Sequence, residues 1–163
     1  MSQASKRRIN ILFVCTGNIC RSPMAEAVFA HLVEQAGLSD RFAISSAGTG
    51  DWHVGESPHR GTLVTLKQHA IPPVGGKRAQ VVSPAMLARA DYIVALDSSH
   101  VDDLSSFGIP SDGKVSRLLD YAPDDPIRDM PDPYYTGAFE EVYQLTLAGV
   151  RGLLDHIRTT ERL

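Results

Sequence analysis

Long apolar runs are what this sequence most plainly lacks. No stretch of its 163 residues approaches the roughly 18–20 apolar positions that a membrane-spanning helix needs. Cysteine is scarce: Cys15 and Cys20 are the two present, which is too few for a disulfide framework. No Cys/His cluster surrounds them, so no zinc ligand set is spelled. Their spacing is also too wide for the Cys-x-x-Cys of a thioredoxin-type centre. Basic charge is not in excess. The net charge is −3, so no broad positive field argues for nucleic acid. The glycine-containing loop after the first apolar run has neither the Gly-Lys-Ser/Thr of a nucleotide P-loop nor the three spaced glycines of a dinucleotide fingerprint.

What is present is the balance of a globular chain, with 43% hydrophobic and 21% charged residues, and length enough for one domain with a substantial core. The stretch 1–8, Met-Ser-Gln-Ala-Ser-Lys-Arg-Arg, reads as a flexible tail ahead of a domain over 9–163. The apolar run after it is short and reads as a buried strand rather than a signal-peptide core. Cytoplasmic residence is the expectation, although secretion without a recognised signal would look the same.

Short apolar runs alternate with amphipathic stretches. Strands are expected over Ile9–Val14, Phe42–Ser46, Tyr92–Leu96 and Val115–Leu119. Helices are expected over Pro23–Gly37, from Ser57-Pro58 to Ala70 with Leu63, Leu66 and Ala70 inward, over Ser83–Ala90, from Asp97 to about Phe107, and over Ala138–His156. Asp120 to Gly137 reads as a loop with five aspartates and four prolines. Alternation of this kind predicts an α/β fold: a single doubly wound domain whose central parallel four-stranded sheet carries helices on both faces. Ligands bind such sheets at the carboxyl ends of the strands, where Cys15 falls.

The stretch Ile11–Phe29 concentrates the chemistry. A strand feeding a loop that opens a helix presents unpaired backbone N–H groups at a positive dipole end, a place to hold phosphate. Cys15 stands at the strand end and Arg21 at the helix end. A thiol is a weak nucleophile until it loses its proton, and amides, helix terminus and arginine all favour the thiolate. Arg21 has the planar fork that bonds two phosphoryl oxygens at once. Gly17 allows close backbone approach, and Asn18 tolerates a left-handed conformation. Ser22 is placed to bond the thiolate, and also to cap the helix ahead of Pro23.

Cys-x5-Arg-Ser at a strand-to-helix turn is the phosphate loop of cysteine-dependent phosphatases. The run Cys15-Thr16-Gly17-Asn18-Ile19-Cys20-Arg21-Ser22-Pro23, so near the N-terminus, resembles the low-molecular-weight protein tyrosine phosphatases. Ser46-Ala47-Gly48-Thr49, Trp52, Lys67-Gln68-His69 and Asp132-Pro133-Tyr134-Tyr135 follow in that family's order and spacing. The resemblance implies hydrolysis of protein phosphotyrosine and small aryl phosphates. Cys15 would be the nucleophile, Arg21 the clamp, and residues Thr16 to Ser22 the cradle for phosphate or another oxyanion. Asp132 would be general acid and then base. From the residues alone Asp120, Asp124, Asp125, Asp129 and Asp132 are indistinguishable, and only the resemblance selects Asp132.

The resemblance further implies that Asn18, Ser22, Ser46 and His69 brace the loop. It places Trp52, His53, Tyr134 and Tyr135 at the substrate cleft, and has Cys20 close a reversible disulfide with Cys15 under oxidant. The remaining histidines, His31, His59, His100 and His156, read as surface residues. No cofactor and no metal are expected, nor a nucleic-acid or membrane partner; a monomer or weak dimer is expected. Thr16 departs from the family's usual leucine. Three other readings stay in view. Arginine-phosphate phosphatases of this fold carry threonine where Ile19 stands. Arsenate reductases need resolving cysteines toward the C-terminus, and none follows Cys20. A non-catalytic phosphoresidue-binding module would lack the nucleophile or the acid.

Overall fold

Strand β1 (Ile9–Cys15) is the rib from which the sheet grows in both directions. In this computed structural model, which describes residues 7–108 and 114–163, β2 (Phe42–Gly48) pairs with β1 in parallel, from Ile9 opposite Phe42 to Cys15 opposite Gly48. On the other side β3 (Tyr92–Ala95) pairs with β1, and β4 (Val115–Arg117) pairs with β3, both parallel. The order is β2-β1-β3-β4, the expected four-stranded parallel sheet. The chain leaves β1 to one side and later returns to the other. The crevice that opens at the carboxyl ends of β1 and β3 is therefore the topological switch point.

β1 is apolar throughout because both its faces are covered. Ile9, Ile11, Phe13 and Cys15 pack into a core with α1 (Arg21–Gln35), α2 (Arg60–Gln68) and α6 (Phe139–Glu161). Leu12 and Val14 point the opposite way, to Leu87 of α3 (Pro84–Arg89) and Leu104 of α4 (Ser98–Ser106). This is the period-2 alternation of a strand buried on both sides. On the first face the rings of Phe13, Phe29 and Phe42 meet edge to face, with centroids 5.7 and 5.5 Å apart.

Several expected boundaries move, each for a physical reason. Helix α1 begins at Arg21, ahead of Pro23, since proline costs no hydrogen bond in a first turn. Its N-cap is Cys20, without a side-chain cap bond, so Ser22 is not the cap. Helix α2 stops at Gln68 and is capped by His59. Its inward residues are Thr62, Thr65 and Leu66, while Ala70 is exposed in a left-handed turn (φ 57°). The last strand is shorter than expected. Leu118 and Leu119 belong to a buried 3-10 turn beneath α6, which approaches so closely that a Cβ on Gly152 would lie 1.8 Å from the Tyr121 carbonyl oxygen. The aspartate-rich loop holds a short helix, α5 (Pro133–Thr136), capped by Asp132 and closed by left-handed Gly137. Of the expected tail, residues 1–6 lie outside the described residues, and Arg7 pairs with Asp91 at the strand's entrance. Among the described residues no helix is long and apolar enough to cross a membrane.

Candidate active site

The loop from Cys15 to Arg21 curls around the sulfur of its own first residue. Ser22 Oγ lies 2.9 Å from Cys15 Sγ, and the Asn18 N–H donates to the same sulfur at 3.3 Å. Ser22 Oγ also accepts from Asn18 Nδ2 at 2.8 Å, so its own proton is free to point at the sulfur. Two donors aimed at one sulfur suit an anion there. Asn18 holds φ at 57°, as its left-handed tolerance allows. The loop rests on a backbone platform. The Thr49 N–H donates to the Cys15 carbonyl at 2.9 Å and the Gly50 N–H to the Thr16 carbonyl at 3.0 Å. A Cβ on Gly48 would sit 2.5 Å from the Thr16 carbonyl oxygen, so only glycine fits that strand end. Cys20 is a buried free thiol. Burial, then the charges of Cys15 and Asp132, push it up to about 12 against the pull of Arg21, so it stays protonated.

Behind the loop runs a buried polar chain that sequence reasoning only partly foresaw. Asn18 Nδ2 donates to Ser46 Oγ at 3.0 Å, and Ser46 Oγ donates to Glu26 Oε1 at 2.5 Å. The Gln80 N–H closes on Asn18 Oδ1 at 3.0 Å. Lys77 Nζ donates to the Ser46 carbonyl at 2.8 Å and stands 3.7 Å from Glu26 Oε1. Burial pushes the Glu26 carboxyl up and the Lys77 ammonium down, while the Ser46 bond and the pair's mutual attraction oppose it. His69, expected in this brace, is not part of it. It lies at the end of α2, 2.8 Å from Glu140 Oε1, with its ring stacked on Tyr143 at 3.8 Å. The brace is completed by Lys77 instead, which the Gly75-Gly76 turn brings beneath the loop. Its readable signal was Glu26, a charge on the apolar face of α1. Lys77→Met, which strands a buried carboxylate, is expected to cost about 3 kcal/mol in chemical denaturation, with part recovered in the Glu26→Gln double variant.

Arg21 is buried, and its fork is anchored at one nitrogen. Nη1 donates to Asp97 Oδ2 at 2.8 Å and to the Met130 carbonyl at 2.9 Å. Nη2 faces Asp132 Oδ2 at 3.3 Å. Asp97 follows β3 as Cys15 ends β1, a position at the ligand edge that could have flagged it. Burial raises its carboxyl, but the Ser99 hydrogen bond, His100 and Arg21 outweigh that and hold it below the usual range.

His100, read from sequence as a surface residue, is fully buried. The reason is a capping box: Asp97 Oδ1 accepts the His100 N–H at 3.1 Å and the ring's Nδ1 accepts the Asp97 N–H at 3.2 Å. His59 is also drawn in, capping α2 and stacking on Phe139 at 5.1 Å, while His31 is partly exposed and His156 exposed. Burial, then the charge of Arg21, lowers His100 from 6.5 to about 4. The unfolded ring takes a proton near pH 6.5, whereas the native ring refuses it until about 4. Its share of stability is therefore full above pH 6.5 and is lost as pH falls toward 4, by about 3 kcal/mol in all. Denaturation at pH 7 and pH 4.5 should show a steeper loss for the native chain than for His100→Asn.

The loop opens into a cleft of about 400 Å³. Cys15, Thr16, Gly17, Ile19, Cys20 and Arg21 line its floor, and Trp52, His53, Asp132, Tyr134 and Tyr135 its walls. Asn18, Ser22 and Ser46 lie behind the loop. His53 Nδ1 is 3.1 Å from Glu56 Oε2, and its ring is 5.8 Å from that of Tyr134. Of the five aspartates only Asp132 lines this cleft. Asp129 accepts from the Ser98 N–H and Oγ at 2.9 and 2.8 Å, and Asp120 pairs with Arg117 at 3.1 Å. Asp124 and Asp125 border a separate hollow beside Tyr121. Among the described residues no three metal-ligating side chains gather.

A sequence model of the low molecular weight phosphotyrosine protein phosphatases matches residues 10–163. The chain belongs to that family. It is 46% identical over 156 residues to the low molecular weight protein-tyrosine-phosphatase YfkJ of Bacillus subtilis, covering 95% of this chain and 99% of that one. The crystal structure of YfkJ superposes with a TM-score of 0.91 over 95% of this chain and 98% of that one. PtpA of Staphylococcus aureus is 40% identical over 91% of this chain and 94% of its own. A drosophila arginine phosphatase shares the fold at TM-score 0.82 and 31% identity, over 91% of this chain and 97% of that one. The chain is thus an enzyme of a cysteine-dependent phosphatase family, acting on phosphorylated substrates.

Proposed function

We propose that this phosphatase hydrolyses phosphotyrosine in proteins through a phosphocysteine on Cys15. The observation that carries the reading is convergence: Cys15, Arg21 and Asp132 line one cleft whose walls are aromatic. The Cys15 thiolate attacks phosphorus as the bond to the phenolic oxygen breaks. Asp132 gives its proton to the departing phenolate. Arg21 and the loop amides neutralise the charge that develops on the phosphoryl oxygens. A water then attacks the phosphocysteine, Asp132 takes the water's proton, and the sulfur leaves as thiolate with release of inorganic phosphate. At rest Asp132 leans on Arg21 Nη2. An arriving phosphoryl group takes over that guanidinium nitrogen and leaves Asp132 to face the leaving group.

Trp52, Tyr134 and Tyr135 are 72%, 49% and 83% exposed, apolar surface that a flat phenyl ring can cover by stacking. His53, held by Glu56 on the same wall, tunes which flanking residues are accepted. Under oxidant the sulfenic acid of Cys15 condenses with the Cys20 thiol, losing water to form a disulfide. The likeness to a drosophila arginine phosphatase supports a second reading, hydrolysis of arginine phosphate. Isoleucine at position 19 disfavours it, because threonine stands there in enzymes of that kind. Peptides carrying phosphotyrosine, phosphoserine and phosphoarginine separate the two. Phosphotyrosine is expected to give by far the highest kcat/KM, and preferred turnover of phosphoarginine would overturn the assignment.

A further inference from the structure

We propose that Thr16 and His100 form a positioning pair for Arg21, in which Thr16 holds the imidazole proton and so keeps one guanidinium nitrogen free for the phosphoryl group. The role deepens the phosphatase reading above and rests on it.

The shorter of the two donor contacts on the ring, from the Asp97 N–H rather than from Arg21 Nη2, sets where the His100 proton lies. Nδ1 accepts the Asp97 N–H at 3.2 Å, and a ring nitrogen that accepts carries no proton. The buried ring is neutral near pH 7, so its single proton is on Nε2. Among the described residues two groups lie within reach of Nε2: Thr16 Oγ1 at 2.9 Å and Arg21 Nη2 at 3.4 Å. A guanidinium only donates, so the Nε2 proton goes to the threonine hydroxyl. Arg21 Nη2 then finds no acceptor on the imidazole. Its remaining near partner is Asp132 Oδ2 at 3.3 Å, which is 28% exposed at the cleft wall. The two ends of the fork therefore differ. Nη1 is tied inward to Asp97 and Met130, and Nη2 is left for a ligand.

An aliphatic side chain at position 16 could not accept this proton. Without the hydroxyl, Nε2–H would face only another donor in a buried place, which is costly. The alternative tautomer relieves the conflict. The proton moves to Nδ1, beside Asp97 Oδ1 at 3.3 Å, and Nε2 becomes an acceptor for Arg21 Nη2. The clamp would then be held by the protein instead of by phosphate.

Thr16→Val keeps the shape and removes the hydroxyl, whereas Thr16→Ser keeps the hydroxyl. Calorimetric titration with inorganic phosphate and the kcat/KM split on an aryl phosphate should separate them. Thr16→Val should bind phosphate about tenfold more weakly, and Thr16→Ser within about twofold of the native chain. Nitrogen-15 NMR of the imidazole should place the His100 proton on Nε2 in the native protein and on Nδ1 in Thr16→Val. Native-like phosphate binding by Thr16→Val, or a native ring already protonated on Nδ1, would overturn the pair. A native protein that binds phosphate but hydrolyses no aryl phosphate would instead overturn the phosphatase mechanism, with the tautomer result still deciding the pair.

Discussion

Replacing Cys15 by serine should lower kcat on an aryl phosphate by at least about 10⁴-fold, while inorganic phosphate still binds. Both halves follow from the geometry. The sulfur is the atom at the centre of the loop, with Ser22 Oγ and the Asn18 N–H directed at it. A serine hydroxyl in its place would need a general base, and among the described residues no histidine or carboxylate is hydrogen-bonded there to supply one. The cradle itself is built from other parts: the loop amides, the start of α1 and the Arg21 fork. Those parts depend on the Asn18–Ser46–Glu26–Lys77 brace, whose one bond to Cys15, the Asn18 N–H to the sulfur, a serine hydroxyl can also accept. Binding should therefore outlive the chemistry. Steady-state assays with phosphate as competing ligand measure both, and retained turnover in Cys15→Ser would remove the nucleophile assignment.

The second large effect is expected at Asp132. Asp132→Ala should lower kcat/KM by about 10²–10³-fold for phenyl esters with poorly leaving phenolates, and far less for those whose phenolate departs unprotonated. That dependence on leaving group marks a proton donor and would not arise from a merely structural residue. The control is Asp129→Ala. Asp129 receives the Ser98 N–H and hydroxyl and lies near Arg117, so it anchors the start of α4 and does not face the cleft. Its removal should lower stability and leave the leaving-group dependence intact. If Asp129→Ala flattened that dependence and Asp132→Ala did not, the acid would be misassigned.

The parts of the site legible in the sequence were those that follow from local order along the chain. Cys15 and Arg21 share one loop, so a strand, a glycine and a helix start were enough to group them. The parallel sheet followed from apolar runs alternating with helices, and it placed Cys15 at the ligand edge. Asp132 stands more than a hundred residues from Cys15, beyond any local pattern, and only the family resemblance singled it out. The misses have two causes. His100 reads as a polar residue on a surface helix until the capping box with Asp97 turns its ring inward. Lys77 drew no reading from the sequence, and it is the Gly75-Gly76 turn that sets it against Glu26. His69 was drawn to the loop by motif order alone, and its stacking on Tyr143 and bond to Glu140 place it elsewhere. The Lys77 and His69 placements depend on contacts between elements far apart in sequence, which neither periodicity nor spacing encodes, whereas the Asp97–His100 box is local and its Asp-x-x-His spacing was open to reading.

The most direct test of the phosphocysteine is to stop the reaction with acid during turnover of phosphotyrosine and to map the phosphoryl group by mass spectrometry. The expected result is phosphate on the peptide that contains Cys15, accumulating further in Asp132→Ala given an aryl phosphate whose phenolate departs unprotonated, because only hydrolysis of the intermediate is then slowed. Release of inorganic phosphate with no phosphoryl group ever found on Cys15 would contradict it.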